Sequence, residues 1–145
     1  MGRLFKVFFV LIFLALIGSQ FIEVERTNPE VTADLKAPAK VKRILHTACY
    51  DCHSNETKWP WYSYVAPVSW MVIRDVEEGR ESLNFSTWGK IASSKKAEYK
   101  KEIWEEVNEE KMPLEYYIYT HPNAKLDVTQ KKTLKEWAEK QSAWE

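Results

Sequence analysis

Cys49-Tyr50-Asp51-Cys52-His53 is the stretch on which the reading of this chain turns. Two thiols three residues apart at a helix end can each form a thioether to a vinyl group of one porphyrin. The histidine that follows is then placed under the iron as its proximal ligand. The chain has two cysteines in all, and they close too small a loop to serve as a structural staple. A redox dithiol of the same spacing belongs to βαβ folds, and no strand alternation is legible here. Zinc is the rival ligand: His46, Cys49, Cys52 and His53 are four donors within eight residues. Adjacent Cys52 and His53 would strain to reach one tetrahedral ion, with His121 as a replacement for one of them.

Working outward, Val41, Ile44, Leu45 and Ala48 fall at helical spacing, so a short amphipathic helix over 39–48 runs directly into Cys49. Residues 54–66 are aromatic and broken by Pro60, which reads as a loop. Pro67 opens a second helix and Gly79 closes it, with Val68, Val72 and Val76 on one face. Residues 80–93 read as irregular. Ser94 caps a third helix over 95–109 with an apolar stripe of Tyr99, Ile103, Trp104 and Val107. Pro113 and Pro122 leave 111–126 largely non-helical. Asp127 and Gln130 form a capping-box pattern before a last helix, 128–141, with Leu134, Trp137 and Ala138 inward. The expected class is all-α, one small helical domain around one haem.

Ahead of that domain, residues 1–22 hold Arg3 and Lys6 and no acid, and Leu4 to Ile22 is long and apolar enough to span a bilayer. The segment reads as an anchor, with a cleaved signal as the alternative; either keeps Arg3 and Lys6 inside and exports the rest. Residues 23–40 read as a linker that, if extended, reaches roughly 50 Å. The domain is assigned to 41–145. Of the 21 basic and 21 acidic residues, the chain beyond 22 keeps 19 basic and 21 acidic, net −2. With no basic excess to neutralise phosphates, nucleic acid is excluded as a partner.

A distal ligand is sought among Met112, His121, His46 and Met71. Met112 is favoured because it lies in a loop before Pro113, ahead of the last helix. His121 is the alternative, and an open site the third possibility. His46 is one turn from Cys49 on the attachment side, and Met71 on an apolar helix reads as core. Trp59, Trp61, Trp70 and Trp88 are candidate pocket residues, with general core as the plainer reading. Arg74, Arg80 and Lys90 are candidate partners of haem propionates. His53 is expected to donate its other ring N–H to a backbone carbonyl, with the Trp59–Pro67 loop as the nearest candidate.

Helix, Cys-x-x-Cys-His, Met112-Pro113 and a last helix with Leu134 and Trp137 resemble the small class I cytochromes c. A closer resemblance is to bacterial haem-binding domain proteins. It is carried by Cys49 to Asn55, Trp59-Pro60-Trp61-Tyr62-Ser63, Ala66-Pro67-Val68-Ser69-Trp70, Glu78-Gly79-Arg80, Leu83-Asn84-Phe85-Ser86 to Trp88, Met112-Pro113 with Tyr117, His121-Pro122 and Leu126. It covers roughly residues 27–145, and that family typically has an N-terminal membrane segment. The long Trp-rich block 54–90 departs from well-known cytochromes c. The resemblance implies one covalent haem c with its iron, on Cys49, Cys52 and His53 with Met112. That family's physiological reaction is largely unassigned; it is the pair of iron ligands, His53 and Met112, that points to single-electron transfer. Export past Arg3 and Lys6 puts it on the periplasmic side of a bacterial cytoplasmic membrane, with an unidentified redox protein or respiratory complex as partner. A carrier is expected rather than an enzyme. The competing readings are a sensor or peroxidase-like domain with an open distal site, and a structural zinc module.

Overall fold

A computed structural model describes residues 2–140. The final residue of the helix expected to 141, and the domain's last residues 141–145, lie outside the described residues. Within them the chain is all-α, with no strand. Helix α1 (Gly2–Ser19) is apolar and unburied along its whole length, long and apolar enough to cross a membrane, a test that a signal sequence also passes. The remaining helices are α2 (Ala39–Ala48), α3 (Tyr50–His53), α4 (Val68–Ser82), α5 (Ser93–Asn108), α6 (Glu115–Thr120) and α7 (Val128–Glu139). Short 3₁₀ helices lie at Trp61–Tyr64, Phe85–Lys90 and Pro122–Ala124.

The core forms where the helical stripes meet. Val41, Ile44, Leu45 and Ala48 of α2 are buried against Val107 of α5 and Leu134 and Trp137 of α7. α7 packs along α5 and against α2, so the first and last helices of the domain touch. Each fully buried aliphatic side chain here contributes about 1.5–3 kcal/mol. Asp127 caps α7 as its spacing predicts: Gln130 N–H donates to Asp127 Oδ1 and Asp127 N–H to Gln130 Oε1, both at 2.8 Å.

Four local expectations are corrected. Ser94 does not cap α5; the helix starts at Ser93, and Ala92 in extended conformation accepts from Lys95 and Lys96 N–H through its carbonyl. The stretch 111–126 holds α6, which fits between Pro113 and Pro122 without needing either proline inside it. The inward face of α4 is Ser69, Ile73, Val76 and Gly79, leaving Val68 exposed. Gly79 does not close α4, which continues one more turn to Ser82.

The segment expected to be a linker lies along the domain instead. Ser86 carbonyl accepts from Thr32 and Ala33 N–H (3.2 and 3.0 Å), and Phe85 carbonyl from Leu35 N–H (3.0 Å). Leu35 is 1% exposed, inside the main core. Gly89 lets the strand-like segment come close, since a Cβ there would stand 2.9 Å from Ala33 Cβ. Arg80 fastens the same strap, donating to Thr27 O, Asn28 Oδ1, Ser54 O and Thr57 Oγ1 at 2.8–2.9 Å. Backbone groups that a tether would leave to water are therefore paired.

Candidate functional site

Cys49 has φ −130°, which ends α2; a single fresh turn, α3, then starts on the Cys49 carbonyl, which accepts from Cys52 and His53 N–H. This restart puts both thiols and the imidazole on one short turn. Helix α4 lies hard against it: a Cβ on Gly79 would sit 2.7 Å from the Cys52 carbonyl oxygen. Only glycine allows that approach. It brings the C-terminal end of α4 to His53, whose Nδ1–H donates to the carbonyls of Gly79 (2.9 Å) and Leu83 (3.2 Å). Both acceptors are carbonyls, so the proton sits on Nδ1 and the lone pair on Nε2. Burial holds the His53 pKa below its ordinary 6.5, while the two carbonyl bonds pull the other way. The ring is neutral near pH 7 and able to bind a metal. The orienting carbonyls come from the end of α4, not from the Trp59–Pro67 loop.

The two cysteines form no disulfide. Burial, with Cys52 adjacent, pushes the Cys49 thiol up to about 12. Burial and the carboxylates of Asp51 and Asp75 do the same for Cys52, to about 12. Both therefore stay thiols rather than thiolates near pH 7. Among the described residues, the one group of three or more His, Cys, Asp and Glu side chains close enough to share an ion is Asp34, His46 and Glu56. It contains neither cysteine, so the zinc set is not assembled.

Met112 reaches the site through the end of α5. Glu110 has φ +58°, Glu110 N–H donates to Val107 O (3.3 Å) and Lys111 N–H to Glu106 O (3.0 Å). This is a Schellman cap with glutamate where glycine is usual. It reverses the chain and carries Met112 and Pro113 to the wall of two adjoining cavities. One, about 400 Å³, is lined by Cys49, Cys52, His53, Gly79, Met112 and Tyr117 among others. The other, about 450 Å³, runs on toward Phe85, Tyr99 and Ile103 and shares Cys49, His53 and Met112. Both are within the size range of cofactor pockets and both are mainly apolar.

The wall is braced by groups that spacing alone does not reveal. Asp51, inside the motif, accepts from the Tyr117 hydroxyl at Oδ2 (2.8 Å) and from Lys58 N–H at Oδ1 (3.1 Å). Asp75 of α4 accepts from the Tyr116 hydroxyl (2.8 Å). Burial and the facing carboxylates push both phenols upward, Tyr116 to about 12. Gly79 left a signal in the sequence, a lone glycine inside a helical pattern, which marks close packing.

The other predicted residues fall elsewhere. His121 stacks on Tyr117 (4.1 Å) and lines a third cavity, not the two that hold His53. Met71 and Trp61 line that third cavity, and Trp61 is 78% exposed. His46 stacks on Tyr50 (3.6 Å) away from the motif's cavities. Trp88 is core, packed near Phe85 and Tyr99. Trp59 lies under the Arg80 guanidinium and Trp70 is at the surface. Of the three cations, Arg74 lines the first cavity beside Asp75 and Glu78, Arg80 is committed to the strap, and Lys90 is exposed.

A family model described as a haem-binding domain matches residues 14–140. Neither a curated relative nor a solved structure matches the chain.

Proposed function

The chain belongs to the haem-binding domain family, and from that premise we propose that it holds one covalent c-type haem and passes single electrons outside the cytoplasmic membrane. The observation that carries this reading is the shared wall: Cys49, His53 and Met112 border both cavities, with Cys52 on the first. In this reading the two thiols would supply the thioether attachments and His53 would hold the iron through Nε2, its tautomer set by the Gly79 and Leu83 carbonyls. Met112 would offer its thioether sulfur as the second protein ligand to the iron. The bound group supplies a one-electron couple. With both residues as ligands the iron would have no position for a substrate, which suits a carrier. A peroxidase-like site would need a second histidine beside His53 in these cavities, and His46 and His121 border neither. Helix α1 is read as an anchor, with Arg3 and Lys6 inside and the domain on the periplasmic side, where c-type haem is attached. The electron partner is a redox protein or membrane complex.

The test is an absorption spectrum of the chain made with c-type haem attachment machinery, followed by acid acetone extraction. Haem retained after extraction, with a low-spin spectrum and the weak far-red sulfur-to-iron band when oxidised, is expected. Retained haem without that band removes Met112 from the iron. A colourless protein overturns the reading.

A further inference from the structure

The end of α1 is clamped to the domain. Gln20 donates from Nε2 to the Ala66 carbonyl (3.0 Å) and accepts the Ala66 N–H at Oε1 (3.1 Å). This two-point pairing fixes orientation as well as distance. A few residues on, Arg26 donates to the Ser63 carbonyl (3.1 Å) and lies 4.4 Å over the Tyr64 ring. The stretch 61–66 is thus held beside the point where the apolar helix stops.

That stretch and the start of α4 are apolar where they meet solvent. Beyond residue 22, ten large hydrophobic side chains among the described residues are exposed, and six of them are Trp61, Tyr64, Val65, Val68, Trp70 and Met71. Phe21 and Ile22, between the clamp and the strap, are exposed too. Scattered single exposures need no explanation, but a concentration of this kind marks an interaction surface. Tryptophan and tyrosine prefer the boundary between lipid chains and water. The 18 residues of α1 rise about 27 Å, close to the hydrocarbon thickness, so Gln20 falls at that boundary. The clamp brings Ala66 to the same depth.

We propose that residues 61–71 lie in the headgroup–acyl boundary of the membrane that holds α1, so that the domain rests on the lipid surface. The proposal builds on the reading of α1 as an anchor. Its occupant is the lipid boundary itself rather than an anionic headgroup, because Glu23 and Glu25 accompany Arg26 and give 20–26 a net −1. Neutral lipid is therefore sufficient.

The experiment places the full haem-loaded chain in phosphatidylcholine vesicles that contain a phospholipid with a photoreactive diazirine in its acyl chain, and maps the labelled peptides by mass spectrometry. Label is expected on both α1 and 61–71. The paired substitutions Tyr64→Ser and Val65→Ser should lower label on 61–71 severalfold while α1 stays labelled. Label on α1 alone overturns the proposal and leaves the anchor reading standing. No label on α1 overturns both. Label on 61–71 that appears only with added anionic lipid, or cross-links there between two copies of the chain, also overturns it.

Discussion

Gly79→Ala isolates the contact between α4 and the Cys-x-x-Cys-His turn. The added Cβ would stand 2.7 Å from the Cys52 carbonyl oxygen, where ordinary contact begins at 3.4 Å, a shortfall of about 0.7 Å. The obstacle is backbone, the Cys52 carbonyl in the motif turn, so α4 is the part that retreats. Overpacking of this kind costs about 1–3 kcal/mol. Alanine in place of glycine inside a helix returns about 1 kcal/mol. The net expectation is a loss of about 1 kcal/mol, read from urea unfolding of the haem-loaded protein. The Gly79 carbonyl recedes with the helix, and its 2.9 Å bond from His53 Nδ1 is stretched toward the limit of hydrogen bonding. A weaker bond leaves the imidazole less electron-donating, so the reduction potential should rise. Stabilisation by about 1 kcal/mol, the helix-propensity effect alone, with an unchanged potential would refute the contact.

Met112→Ala should keep the haem attached, lower the potential and let carbon monoxide bind the ferrous protein at once; an unaltered spectrum would take Met112 off the iron. Leu35→Ala should cost about 2–5 kcal/mol in denaturant titration, because the strap residue is core; a cost under about 0.5 kcal/mol would make it a surface tether after all. Glu110→Gly should stabilise by about 1 kcal/mol by relieving a left-handed residue, since its exposed ion pair with Lys131 contributes little. Thermal melts that show no gain would mean the cap is unstrained.

Periodic features were legible in the sequence because one residue pattern maps onto one face. Helix 39–48 and the Asp127–Gln130 cap are read from spacing alone. Features that depend on another segment were not. The strap has no apolar period; it is held by backbone carbonyls of Phe85 and Ser86 and by Arg80, which are distant in sequence. For the same reason Arg80 reads as a propionate partner, although its guanidinium is committed to Thr27 and Asn28 of the strap and to Ser54 and Thr57. From the sequence the Trp59–Pro67 loop is the nearest candidate for the carbonyls that orient His53, whereas Gly79's missing side chain lets α4 supply them. Trp88 and Trp61 have the same side chain but opposite surroundings, one core and one exposed, and composition cannot separate them.

The strap also sets how the domain would meet other proteins. A free linker from 23 to 40 would let the haem domain sweep a hemisphere and search for partners in three dimensions. With Arg26 to Leu35 spent on the fold, and Gln20 paired to Ala66, no slack remains between helix and domain. On the anchor reading, encounters become lateral collisions within a plane. Their frequency would then follow the ratio of protein to lipid, and diluting the vesicles in buffer would leave it unchanged.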